Sequence, residues 1–189
     1  MRKFIVLLIA IAALVPASLG QSSDPGAGGA GAASAQIVAK KASDTVSLPY
    51  DGGRVRYLAS KEETGGDLSV VEIIESAGYK TPLHRHPDGD EAFYVIEGVL
   101  TAKIGDRKPQ EFGPGSFVLI PRGTVHAQGN FEKAPVRLLV LVLPGGFEQF
   151  FADRVELFKN LKPGDPEFEK QIKAVIEKNH IEVVGTWER

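Results

Sequence analysis

From Ile37 onward, apolar residues fall in short runs separated by turn-forming residues. Val55 to Ala59, Leu68 to Glu75, Ala92 to Ile96 and Val99 to Ile104 are such runs, and Phe117 to Ile120, Thr124 to Gln128 and Val136 to Leu143 continue the series. Gly65-Gly66, Pro87-Asp88-Gly89, Gly105-Asp106, Gly113-Pro114-Gly115 and Pro121-Arg122-Gly123 punctuate them. Short apolar runs at this regular spacing predict an all-β sandwich or barrel. No helical periodicity interrupts them before about Gly146, which argues against a parallel α/β sheet. Beyond Pro144-Gly145-Gly146 the texture changes. Phe147, Phe150, Phe151, Val155 and Phe158 take a helical spacing, as do Phe168, Ile172, Val175 and Ile176 after Asp165-Pro166. Two helices are predicted there, then a short extended end at Ile181 to Val184. An aromatic stripe at helical spacing is usually packing. The 147–158 cluster is therefore expected to close one end of the barrel rather than to line a ligand site.

The first residues follow another rule. Arg2 and Lys3 precede an unbroken apolar run of 12 residues, Phe4 to Val15, and Pro16, Ala17, Ser18 and Gly20 follow it. Charge, apolar run and small-residue exit in that order predict a secretory signal peptide over residues 1–20, cleaved after Ala17 or Gly20. The run is too short for a bilayer span, which needs roughly 18 residues, so no permanent membrane anchor is expected. Residues 21–36 are almost wholly Gly, Ala and Ser. They cannot bury enough apolar area to offset their ordering entropy and read as a flexible linker. The expected organisation is thus a barrel at 37–145 and a helical tail at 146–189, in a periplasmic or extracellular protein.

Composition narrows the chemistry. The 189 residues carry a formal charge of −2, and removing residues 1–20 takes away Arg2 and Lys3 and no acid. With no basic excess, nucleic acid is not expected as a partner. There is no cysteine, so disulfides, thiolate zinc sites, iron–sulfur clusters and cysteine nucleophiles are all excluded. Any bound metal must be held by histidine and carboxylate, and there are four histidines.

Three of those histidines fall in two compact segments. In Gly78 to Gly98, His84 and His86 are one residue apart and point to the same side of an extended chain. Glu91 follows a Pro-Asp-Gly-Asp turn that would fold the next strand back toward them. In Gly115 to Asn130, His126 follows a Pro-Arg-Gly turn. Three imidazoles and one carboxylate suit a first-row divalent ion, with Fe, Mn, Ni, Cu, Co and Zn all candidates. Four protein ligands on an octahedral ion leave two positions for substrate, water or dioxygen, as a catalytic site requires. The ligands bind as neutral imidazole and ionised carboxylate, so occupancy is expected to fall on acidification.

The first segment fits the cupin pattern G-x5-H-x-H-x4-E-x6-G at Gly78, His84, His86, Glu91 and Gly98. The second fits G-x5-P-x-G-x2-H-x3-N at Gly115, Pro121, Gly123, His126 and Asn130, with 16 residues between the two. The chain resembles a single-domain cupin from about Gly53 to Leu143. Glu63-Thr64-Gly65-Gly66, Pro144-Gly145-Gly146-Phe147-Glu148 and Ile181-Glu182-Val183-Val184-Gly185 look like the cupins labelled quercetin 2,3-dioxygenase-like. The resemblance implies a double-stranded β-helix, the jelly-roll barrel, with a C-terminal helical extension and a homodimer. It implies His84, His86, Glu91 and His126 as metal ligands, and Glu91 also as the general base that takes a flavonol hydroxyl proton. The implied activity is that of a metal-dependent oxidoreductase, a dioxygenase opening the ring of a small phenolic or enolisable compound. A non-catalytic exported cupin that captures a small molecule through its metal is the alternative, as is another cupin reaction such as isomerisation or oxalate oxidation.

The remaining candidates are read more plainly. His180, at a predicted helix end without partner spacing, is expected to support the helix terminus or face water. Asp88 and Asp90 belong to the turn in the motif's register. Gly98, Gly113, Gly115 and Gly123 are expected to serve turns. Gln128, on the face of His126, either lines the pocket or orders the ligands. Phe93 and Val95, on the face of Glu91, are apolar walls or barrel filling. Tyr94 and Ile96 make the same strand apolar on its other face, as a dimer surface would require.

Overall fold

The computed structural model describes residues 34–189; the signal peptide and nearly all of the linker expected from the sequence lie outside the described residues. Residues 37–47 precede the barrel rather than belonging to it. Ile37 is 98% exposed, and among the described residues a single 3-10 turn at Ala42–Asp44 is the only regular element before the first strand.

Eleven strands and two helices follow. They are β1 (Leu48–Tyr50), β2 (Gly53–Ala59), β3 (Ser69–Glu75), β4 (Leu83–Arg85), β5 (Asp90–Glu97), β6 (Leu100–Ile104), β7 (Gln110–Phe112), β8 (Phe117–Ile120), β9 (His126–Gly129) and β10 (Val136–Leu143). Then come α1 (Glu148–Asn160), α2 (Pro166–Lys178) and β11 (Glu182–Gly185). The strands form a six-stranded sheet, β1-β2-β3-β10-β5-β8, and a five-stranded sheet, β11-β4-β9-β6-β7, antiparallel throughout. From β3 to β10 the chain passes back and forth between the two sheets, which is the jelly-roll winding. Strands β1, β4 and β7, each three residues long, had no apolar run to betray them.

The two inner faces make the core. Along β10 buried and half-buried residues alternate with the period of a strand, placing Val136, Leu138, Val140 and Val142 inward. They meet Val55, Val71, Ile73, Phe93, Val95, Leu100 and Ile120 from neighbouring strands. Each such side chain contributes about 1.5–3 kcal/mol on burial. Phe93 and Val95 are barrel filling, not cavity wall. The outer face of β5 and β8 instead leaves Tyr94, Phe117 and Leu119 at 42%, 61% and 57% exposure, and Tyr94 and Phe117 face each other in register. Of these residues, Tyr94 belongs to the strand on which the homodimer expectation rests.

The C-terminal segment is helical only in part. Helix α1 opens with Glu148, whose carboxylate accepts the Ser69 hydroxyl and the backbone N–H groups of Lys61 (2.7 Å) and Gly146 (3.1 Å). A carboxylate in the first turn also complements the helix dipole. Pro166 begins α2 with its ring in the first turn, where its missing N–H costs nothing. Lys178 then reaches back to Asp153 of α1 at 2.8 Å. Beyond α2 the chain returns as β11 and pairs with β4, opposite Arg85 and His84, so the tail completes the smaller sheet. Among the described residues no helix is long and apolar enough to cross a membrane.

Gly98, between β5 and β6, has φ of +80°, and a Cβ there would lie 2.7 Å from the Pro135 carbonyl oxygen and 2.9 Å from Val136 Cα. Gly113 has neither a left-handed backbone nor any atom within 4 Å of such a Cβ. Gly98→Ala is therefore expected to lower stability by about 2–4 kcal/mol in urea denaturation, and Gly113→Ala by less than about 0.5 kcal/mol.

Candidate metal centre

The two turns found in the sequence are tied to each other. Asp90 accepts the Arg122 backbone N–H at 2.8 Å and its guanidinium at 3.1 and 3.0 Å. Those bonds hold the Asp90 carboxyl below its ordinary range. Gly123, at φ +76°, donates its N–H to the His86 carbonyl at 2.8 Å. Asp90 thus opens β5 and binds the opposing turn, while Asp88 lies within 3.1 Å of His180 on the surface.

This bracing brings the four predicted ligands together. His84 on β4 stands directly opposite His126 on β9. His86 lies just past the end of β4, and Glu91 comes from β5 in the other sheet. The site therefore sits between the two sheets. All four residues are buried, and one donor atom from each lies within 4.8 Å of the others. The imidazole centroids of His84 and His126 are 4.3 Å apart.

Backbone carbonyls orient two of the rings. His84 Nδ1–H donates to Pro82 at 2.9 Å and His126 Nδ1–H to Thr124 at 2.9 Å, which leaves each Nε2 facing inward. His126 Nε2 is 2.9 Å from Glu91 Oε2. His86 Nε2, 3.4 Å from the same oxygen, makes no hydrogen bond and is buried. Burial alone would raise the Glu91 carboxyl, but His126 and His86 outweigh it and hold it well below the usual carboxylate range. Burial opposes charge on His126, yet its hydrogen bond to Glu91 raises it. Burial and the neighbouring His126 push His84 down to about 4. A neutral imidazole, an ionised carboxylate and an orphaned inward nitrogen are the donors a divalent ion needs. His84, His86, Glu91 and His126 fit a metal ion.

A cupin-domain family model matches residues 70–142. An uncharacterized protein of Methanocaldococcus jannaschii is 31% identical over 100 residues, which cover 51% of this chain and 79% of that one. This chain belongs to the cupin superfamily. Quercetin 2,3-dioxygenase of Bacillus subtilis is similar to this cupin at 30% identity over 96 residues, 51% of this chain and 28% of the other. Germin-like protein 1 of Brassica napus is 28% identical over 115 residues, 53% and 56% of the two chains. The cupin thus spans about a quarter of the Bacillus relative and just over half of the Brassica one. Among solved structures, the polyketide cyclase RemF of Streptomyces resistomycificus superposes with a TM-score of 0.50 at 24% identity, over 57% of this chain and 80% of that one. That likeness is one of fold.

Beside the centre of this cupin is a cavity of about 310 Å³ reaching His84, His86 and Glu91. The aromatic cluster expected only to close the barrel also lines it: Phe147, Phe150 and Phe151 form a wall, with Phe147 5.1 Å from the His86 ring. Gln128 both lines the cavity and contacts Thr81 and Glu75. Asn130, the last residue of the second motif, donates to the carbonyls of Glu75 (3.2 Å) and Ala134 (2.8 Å), so it braces a strand end.

Sequence reasoning missed a second polar cluster. Arg154 of α1 grips Asp51 through Nε (2.7 Å) and Nη2 (2.9 Å), donates to the Tyr79 hydroxyl at 2.9 Å and lies over the Tyr50 ring. Glu75 lies in the same cavity wall with no exposed surface. Burial pushes its carboxyl up to about 7. The signals were a charged residue ending an apolar strand and an arginine within an aromatic helix stripe.

Replacing His84 and His126 together by Ala is expected to weaken metal binding at least about 100-fold. Metal analysis after dialysis checks this, and an unchanged metal content would sink the site. Glu75 makes a separate prediction. Its folded-state value near 7 lies above the ordinary 4.5, so as pH rises between them the unfolded chain loses its proton first and stability falls. Glu75→Gln should remove that loss, gaining up to about 3 kcal/mol relative to the native chain between pH 4.5 and pH 7. Denaturation midpoints across that range measure it.

Proposed function

We propose that this cupin is a metal-dependent oxidoreductase of the dioxygenase type, acting on a small phenolic or enolisable, flavonol-like compound after export from the cytoplasm. The observation that carries the reading is the cavity itself: it joins three of the four ligands to a wall of phenylalanine rings. An apolar aromatic wall beside the four residues suits an aromatic ligand whose oxygen-bearing edge faces them. The similarity to the Bacillus dioxygenase supports the same reading.

Held by His84, His86, Glu91 and His126, a divalent ion would supply Lewis acidity and redox chemistry toward dioxygen. The chain's own residues do the rest. Phe147, Phe150 and Phe151 exclude water and stack on the ligand. Glu91, buried at the cavity edge, takes the proton of the ligand's enolic hydroxyl. Backbone acceptors at Pro82 and Thr124 keep the His84 and His126 rings from turning as that proton moves.

Oxygen uptake by the metal-loaded protein with a panel of flavonols tests the activity. Uptake with consumption of the flavonol is the expected result. Stoichiometric metal with no uptake on any enolisable compound overturns it in favour of a protein that captures a ligand through its metal. Glu91→Gln is expected to lower turnover by at least about 100-fold. A variant that retained metal and full turnover would remove Glu91 from the proton's path.

A further inference from the structure

The proposed chemistry uses Glu91 and leaves Glu75 without a task. Glu75 ends β3 on its inward face, in line with Val71 and Ile73. Its Oε1 accepts from Gln128 Nε2 at 3.4 Å, while Oε2 is buried with no hydrogen-bond partner. A buried oxygen left so costs about 1–3 kcal/mol, a cost that an apolar residue at the end of an apolar strand would avoid. Beside it, Tyr79 accepts from Arg154, which leaves the Tyr79 proton to be donated. Asp51 occupies two of the Arg154 donors and balances its charge. This part of the cavity therefore offers directed hydrogen bonds and little net charge, a surface for a hydroxyl or carbonyl rather than for an anion.

We propose that Glu75 is a ligand-binding residue of the cavity, its free Oε2 meeting a hydroxyl or carbonyl oxygen that the ligand carries away from its enolic edge. The phenolic class of that ligand rests on the dioxygenase reading; the contact at Glu75 does not. With its carboxyl raised to about 7 by burial, Glu75 offers both an O–H and a lone pair near neutrality. The ligand class is then a polyphenol with oxygen at two edges, in place of any aromatic enol.

Zinc-loaded protein, which carries out no redox chemistry, allows binding to be read without turnover. Quercetin and 3-hydroxyflavone share the enol and differ in their remote hydroxyls. Glu75→Leu, with its fold checked by circular dichroism, should weaken quercetin by about tenfold or more and 3-hydroxyflavone by less than about twofold. In difference infrared spectra, the carboxylic C=O band that disappears in Glu75→Gln should shift when quercetin or resorcinol is added. Equal losses for both flavonols, no loss for either, or a band that neither phenol moves would overturn the contact while leaving oxygen uptake to decide the dioxygenase reading. Native protein that binds neither flavonol would defeat that reading instead, and the band with resorcinol would then decide Glu75 by itself.

Discussion

The site hangs on one register. His84 on β4 and His126 on β9 oppose each other across an antiparallel pair, and their rings meet only because both residues point inward. A slip of one residue on either strand would send an imidazole to the outer face. Strand β4 has three residues and pairs with β9 at a single position, so the ladder alone specifies little. The turns on both sides supply the rest. Asp90 holds Arg122, Gly123 holds the His86 carbonyl, the Thr81 N–H donates to the Gln128 carbonyl and the Tyr79 carbonyl accepts from the Asn130 N–H. Strand β11 pairs with β4 on its other side, opposite Arg85 and His84.

The register has an energetic cost. Three imidazoles and a carboxylate are removed from water between two sheets whose inner faces are built largely of Val, Ile, Leu and Phe. Burial opposes charge on His84, Glu91 and His126, and paired contacts answer it only in part: His126 and Glu91 stabilise each other, while His84 is driven toward its neutral form. A purely structural cluster would pair every donor. Here an inward His86 nitrogen stays unpaired, which is how a barrel poised for an ion differs from one that has merely tolerated polar residues.

The barrel and its ligands were legible because each left a periodic or spaced mark. A run apolar at every position but Arg137 marked β10, and the His-x-His spacing put two rings on one side of a strand. The short strands β1, β4 and β7 left no such mark, since three residues are too few to show a period. The stripe from Phe147 was read as packing because packing and lining share one spacing; only the place where the helix lands separates them. Asp51, Glu75, Tyr79 and Arg154 lie up to 103 residues apart in the chain, and no local pattern could have joined them. The outward turn of Asp90 toward Arg122 was equally unreadable. It depends on two loops meeting.

These differences divide the molecule by function as well as by visibility. The family match covers residues 70–142 and contains all four ligands. The phenylalanine wall, Arg154 and the Phe168 and Ile172 side chains that close the cavity come from beyond Leu143, while Tyr50 and Asp51 come from before Val70. Part of the cavity lining thus sits on a helical insertion and an added hairpin, outside the segment that carries the four candidate metal-site residues. Substitutions there can reshape the cavity without disturbing the His84–His126 register. Glu75, like Tyr79 and Gln128, lines the cavity from inside the matched segment, and Asn130 of the second motif holds its backbone carbonyl. A carboxyl so placed joins the strand frame of the candidate metal centre to the cavity wall.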